Sequence, residues 1–209
     1  MNTRRWTLIT VALLMCGSPA VAQEASPNDP TETKKATEDL PLEPGRTIPI
    51  DLDEGSWMSL DVSPDGQTIV FDYLGDLFTM PIAGGQATQL TSGMAFDAQP
   101  RFSPDGTQIA FTSDRSGGQN IWVIATDGSD TIQVSRGAAN RAEQPEWTPD
   151  GKYIIASMGM GNFRFGGSPT LRIFHIDGGG GAELMDQGPK RLGAVVSPDG
   201  RWVWYAQRT

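Results

Sequence analysis

The stretch "FSPDGTQIAF", residues 102–111, sets Ser-Pro-Asp-Gly between two apolar segments. The arrangement returns as "VSPDGQTIVF" at 62–71, "WTPDGKYIIA" at 147–156 and "VSPDGRWVWY" at 196–205. The four triplets, Pro64-Asp65-Gly66, Pro104-Asp105-Gly106, Pro149-Asp150-Gly151 and Pro198-Asp199-Gly200, are spaced by 40, 45 and 49 residues. An internal period of this size marks solenoids, propellers or arrays. Within each turn proline presets φ, aspartate tolerates the bridge conformation and glycine takes the left-handed one. This predicts a type I turn that closes a β-hairpin with a glycine bulge.

Working outward from the turn, a short strand precedes it, as in "QPRF" at 99–102 and "QPEW" at 144–147. An apolar strand follows, as in "TIVFDY" at 68–73, "QIAFTS" at 108–113 and "YIIAS" at 153–157. Alternation puts Ile109 and Phe111 on one face and Ala110 on the other, so both faces are apolar and both are expected to be covered. Third strands are read in "DLFTMPI" at 76–82, "NIWVIAT" at 120–126 and "LRIFHID" at 171–177, aligned without gaps. After glycine turns come more polar fourth strands, "ATQLT" at 87–91, "TIQVS" at 131–135 and "AELM" at 182–185. Four antiparallel strands per unit of about 40 residues make a propeller blade. The fold class is therefore all-β: a β-propeller with blades at 57–91, 98–135 and 143–185 and two strands of a fourth at 191–209. Propellers close with about four to eight blades, so about 3.5 blades imply a piece of a longer protein or a truncated gene.

The 209 residues carry a net charge of -9, which disfavours nucleic acid and anionic membrane surfaces as partners. The N-terminus reads as a cleavable export signal, residues 1–22. Arg4 and Arg5 precede the apolar run "TLITVALLMCG", and "AVA" at 20–22 offers a cleavage site after Ala22. The run is too short to span a bilayer, so no membrane insertion is expected after cleavage. A periplasmic or secreted location follows. Cys16, the only cysteine, leaves with the signal, so neither a disulfide nor a thiol nucleophile is expected in the mature chain. Loss of Arg4 and Arg5 leaves 14 basic against 25 acidic residues, a net charge of -11. Residues 23–45, rich in charge and proline, read as a flexible linker ahead of a propeller segment at 46–209.

"AQPRFSPDGTQIAFTSDRSGGQNIWVIATDGSD" resembles the repeat of TolB-like propellers, relatives of WD repeats. The pattern x-P-x-[FW]-S-P-D-G, I-A-F-x-S-D-R-x-G, I-W-V and D-G is met almost throughout residues 98–129. The first blade departs at Leu60, where the second has Pro100, and the third lacks Ser-Asp-Arg. A narrower resemblance covers the order from "IPIDLDEGSWMSLDVSPDG" through "TSGMAFDAQPRFSPDG". Behind an export signal and a linker, it is similar to the N-terminal part of exported bacterial amidohydrolases, in which a propeller precedes a metal-dependent barrel. The resemblance implies hydrolysis of C–N bonds by metal-activated water, with zinc the expected divalent metal, in a C-terminal domain outside the chain. The propeller would then be a noncatalytic scaffold or substrate gate. Two alternatives are a TolB-like module binding other envelope proteins and the gating propeller of a prolyl-oligopeptidase-like serine peptidase.

The chemistry-bearing residues fit a noncatalytic segment. A metal-dependent amidohydrolase needs several histidines, beginning with His-x-His. His175, the only histidine, falls near the end of a third strand and reads as structural. Neither a Gly-x-Ser-x-Gly elbow nor a Gly-Lys-Ser/Thr phosphate loop occurs, and "GGGG" at 178–181 reads as a hairpin turn. Asp51, Asp53 and Glu54 do not continue as a calcium loop and read as a solvated strand end. No catalytic, cofactor-binding or metal-ligating residue is therefore assigned. "SMGMGNFRFGGSPT" at 157–170 lengthens the third blade, and Phe163, Arg164 and Phe165 make it the candidate docking loop.

Overall fold

The computed structural model describes residues 46, 48–49, 51–137, 140–160, 169–184 and 191–207. The export-signal and linker expectations, residues 1–45, and Phe163, Arg164 and Phe165 lie outside the described residues. The bladed unit, Arg46–Thr209, contains fourteen strands and no helix among its described residues.

The first blade consists of β1 (Leu60–Val62), β2 (Thr68–Tyr73), β3 (Asp76–Pro81) and β4 (Thr88–Gln89). The second consists of β5 (Asp97–Phe102), β6 (Gln108–Ser113), β7 (Asn120–Ala125) and β8 (Ile132–Gln133). The third consists of β9 (Asn140–Trp147), β10 (Tyr153–Met160), β11 (Thr170–His175) and β12 (Ala182–Glu183). β13 (Arg191–Val196) and β14 (Val203–Gln207) form a two-stranded sheet. Every pairing within a blade is antiparallel, in chain order. The fold is thus an all-β propeller of four-stranded blades whose sheets do not close into a ring.

The alternation of apolar residues sorts side chains between neighbouring blades. Ile109 and Phe111 join Val70, Leu77, Phe102 and Ile124 in the core between the first two blades. Ala110, Ile121 and Val123 point the other way, into the core with Trp147, Ile154, Ala156 and Phe174 of the third blade. Ile155 and Leu171 in turn meet Ala194 of β13. Each core is therefore an interface between blades. Among the described residues the two end faces lack such cover. Phe71 and Phe78 stack 5.7 Å apart on the first blade and remain half-buried, while Trp202 and Trp204 are 62% and 57% exposed at the other end.

Three local readings need correction. The third strand of the third blade begins one residue earlier than the gapless alignment places it. Tyr153 pairs with His175 as Thr68 pairs with Pro81 and Gln108 with Ala125, so Thr170 stands level with Asp76 and Asn120. The fourth strands have two residues each rather than four or five. Hydroxyls continue their edges beyond the ladder: Leu77 N–H donates to Thr91 Oγ1 at 2.9 Å, and Ile121 N–H to Ser135 Oγ at 2.9 Å. Finally, Asp51, Asp53 and Glu54 are exposed but belong to no strand, because β1 starts at Leu60.

The closing glycines, Gly66, Gly106, Gly151 and Gly200, have φ of 71°, 72°, 67° and 69°. A Cβ on Gly106 would also stand 3.4 Å from Pro64 Cδ of the first blade. Gly106→Ala is therefore expected to destabilise the chain by about 1 kcal/mol or more. Chemical denaturation checks this, and an unchanged midpoint would contradict the turn geometry.

Candidate functional site

The first strands of successive blades, β1, β5, β9 and β13, are in mutual contact and form the inner surface of the arc. Counting back from each turn, Asp61, Arg101, Glu146 and Val195 occupy equivalent positions on them. Asp61 Oδ2 accepts Phe102 N–H at 2.8 Å, and Glu146 accepts Val196 N–H, so both carboxylates tie one inner strand to the next. Arg101 lies between them. Its Nη1 donates to Leu60 O at 3.2 Å and to Pro100 O at 2.8 Å, and its Nε stands 3.8 Å from Glu146 Oε2. Burial pushes the Glu146 carboxyl up, Arg101 opposes that shift and Asp61 adds to it. The result is a charged strip of alternating sign that can engage polar peptide or amide groups.

Two positions earlier β5, β9 and β13 each carry a β-bulge, whereas the β1–β2 ladder runs without a slip. Gln99, Gln144 and Gly193 have φ of 57°, 55° and 65° there, and the ladders slip at these points. The turned-out N–H groups hook onto side-chain acceptors: Gln99 N–H on Asp72 Oδ2 at 2.7 Å, Gln144 N–H on Gln99 Oε1 at 2.7 Å and Gly193 N–H on Ser157 Oγ at 3.1 Å. A bulge with a left-handed residue re-aims the strand and strengthens its twist. Sequence reasoning missed these hooks. The signal was there in Gln-Pro at 99–100 and 144–145, but "QPRF" and "QPEW" read equally well as plain strands.

The turn rim has a second layer of chemistry. Ser103 Oγ donates to Asp105 Oδ1 at 2.6 Å and accepts Gln108 N–H at 3.0 Å, while Thr107 N–H donates to the same Asp105 oxygen at 3.0 Å. Ser63–Asp65, Thr148–Asp150 and Ser197–Asp199 repeat the hydroxyl-to-carboxylate bond at 2.6 Å. Gly106, Gly151 and Gly200 also face the proline of the preceding blade, so Pro64, Pro104 and Pro149 serve as stacking surfaces as well as φ clamps. A shallow cleft of about 260 Å³ lies between the first two turns, lined by Pro64, Asp65, Asp105 and Gly106 among others.

These hydroxyl and N–H donors hold Asp65, Asp105, Asp150 and Asp199 below the ordinary value of 3.8. A folded-state value below the unfolded one gives stability that is present above about pH 4 and is lost as the pH falls through the folded value. Asp76 and Glu146, raised chiefly by burial, act in the opposite sense. The difference between wild type and Asp105→Asn isolates one turn. The gap in melting temperature is expected to be wide at neutral pH and to narrow below the ordinary carboxylate range. A gap independent of pH would remove the charged hydrogen bonds from the account.

The remaining sequence candidates stay apart from this surface. His175 ends β11, its ring edge-on to Tyr153 with centroids 5.1 Å apart, and its Nδ1 accepts Asp177 N–H at 3.2 Å. Gly178, Gly179 and Gly181 of "GGGG" have positive φ between β11 and β12, and Arg172 Nη2 donates to Gly180 O and Gly181 O. Among the described residues no group of three or more His, Cys, Asp or Glu is arranged to hold a metal.

The bladed region matches the tricorn protease N-terminal beta propeller domain over residues 59–209. Tricorn protease homolog 1 of Streptomyces coelicolor is 28% identical over 146 residues, which are 66% of this chain and 13% of that protein. The Tol-Pal system protein TolB of Wolinella succinogenes is 31% identical over 119 residues, 54% of this chain and 27% of its own length. The crystal structure of TolB from Acinetobacter baumannii superposes with a TM-score of 0.56 at 25% identity, covering 72% of this chain and 37% of that one. The chain thus spans well under half the length of each of these relatives. They are tricorn- and TolB-type proteins and lend the amidohydrolase resemblance no support. On the match across its bladed region, the chain belongs to the family of the tricorn protease N-terminal beta propeller domain.

Proposed function

We propose that the chain is a noncatalytic propeller segment of a larger exported hydrolase, where it screens or orients substrates for a catalytic domain outside the chain. The observation that carries this reading is the match of residues 59–209 to the tricorn N-terminal propeller, in a chain covering only 13% of the tricorn homologue. That relationship favours a peptidase, which is the gating-propeller alternative raised by the sequence. The amidohydrolase reading, with zinc in the catalytic domain, rests on the order of residues 48–106 behind an export signal and a linker. The export pattern of residues 1–22 supports a periplasmic or secreted location. A second reading, a module that docks other envelope proteins, draws on the likeness to TolB.

The coding sequence beyond Thr209 separates them: Gly-x-Ser-x-Gly for a serine peptidase, His-x-His for an amidohydrolase, an early stop for a binding module. The chain itself is expected to hydrolyse no peptide, ester or amide with or without added zinc, because neither a nucleophile–base pair nor a ligand set is assigned in it. Metal-dependent turnover that survives His175→Ala would reveal a carboxylate site and overturn the noncatalytic role.

A further inference from the structure

The antiparallel order places the β2–β3 turn and the link into β5 at the end of the blades opposite the Ser-Pro-Asp-Gly turns. A cavity of about 330 Å³ opens there between the first two blades. Its walls include Trp57, Tyr73, Leu74 and Phe96, and its only charged lining residues are the carboxylates Asp72 and Asp97. Trp57, Leu74 and Phe96 are 101%, 72% and 60% exposed. Three of the five described non-glycine residues with positive φ line this one cavity: Trp57 at 62°, Leu74 at 54° and Gln99 at 57°.

Leu74 is the most telling of the three. Leu74-Gly75 is a two-residue hairpin turn with positive φ at both positions, where asparagine is the favoured first residue. Leucine there carries backbone strain and buries little, so the fold gains nothing evident from it. The floor supplies polarity. Asp72 is satisfied, with Ser59 N–H on Oδ1 and Gln99 N–H on Oδ2. Asp97 is 1% exposed. Its Oδ2 takes Arg115 Nη2 at 2.6 Å, and its Oδ1 has no hydrogen-bond partner.

We propose that this cavity binds a lysine side chain of a partner peptide, with its ammonium at Asp97 Oδ1 and a flanking apolar residue across Trp57, Leu74 and Phe96. Asp72 and Asp97 set against the one guanidinium of Arg115 leave the floor net negative, which favours a positive group. One free oxygen suits a compact ammonium, whereas the guanidinium fork needs two and Arg115 already holds the second. Oδ1 is covered in this structure, so entry of the ammonium requires side chains at the mouth to shift. The exposed apolar rim exceeds what a small amine would cover, which favours a peptide.

The test uses the whole chain and a dye-labelled, N-acetylated Leu-Lys-Phe peptide, read by fluorescence anisotropy. Binding is expected to weaken about tenfold or more when the lysine is acetylated, and to weaken with salt. Leu74→Asn should raise the melting temperature, since asparagine accepts positive φ, and should weaken the peptide at least about fivefold. Asp97→Asn should abolish the preference for lysine over acetyl-lysine. Because that change breaks the Arg115 pair, Leu74→Asn keeps the test open if the variant does not fold. Equal affinity for lysine and acetyl-lysine, no binding at about 1 mM, or full affinity in Leu74→Asn would each overturn the proposal.

Discussion

Phe111→Ala is expected to cost about 3–5 kcal/mol of stability, the range for removing a fully buried aromatic side chain. Phe111 is 0% exposed and sits in the core between the first and second blades. Its ring also lies 5.3 Å from the guanidinium carbon of Arg115, whose Nη2 holds Asp97 Oδ2. Truncation therefore opens a cavity and loosens an ion pair at the same interface. Because stability in repeat folds resides largely between neighbours, the first blade should detach before the second and third separate. Urea unfolding followed by hydrogen exchange checks both points. A loss below about 1 kcal/mol would mean that the core between these blades is not tightly filled.

The blade plan was legible because two signals agreed. The recurring Pro-Asp-Gly set the period, and alternation within "QIAF" assigned Ile109 and Phe111 to one neighbour and Ala110 to the other, as the cores show. What could not be read was whatever depends on another blade. Pro64 looks from sequence like a φ clamp, and only the stacked arrangement brings Gly106 against it. Asp61 and Glu146 look like solvent-facing strand residues, yet each accepts an N–H from the next inner strand. The bulges at Gln99 and Gln144 were hidden for the same reason, since their acceptors lie 27 and 45 residues away. The outer strands were overestimated because Thr91 and Ser135, which cap them through hydroxyls, look like ordinary strand residues.

The second large effect concerns the two uncovered ends. Val195 and Trp204 are 54% and 57% exposed on the last sheet, Trp202 just ahead of β14 is 62% exposed, and Leu60 and Val62 are 55% and 41% exposed on the first blade. Among the described residues β14 pairs only with β13, so its outer edge offers N–H and C=O groups to a further strand. Edges of this kind recruit further strands, and apolar faces of this kind recruit cover. The chain on its own is expected to self-associate through these ends. Trp202→Lys together with Trp204→Lys should shift it toward monomer, whereas the same change at buried Trp147 should unfold it.

The central claim is that each blade is held by its neighbours. Sizing combined with native-state hydrogen exchange on the whole chain tests it most directly. The account predicts concentration-dependent association, strongest protection in β5–β7 between two neighbours, and weakest protection in β13–β14. A monodisperse monomer in which β13–β14 is protected as strongly as β5–β7 would contradict it.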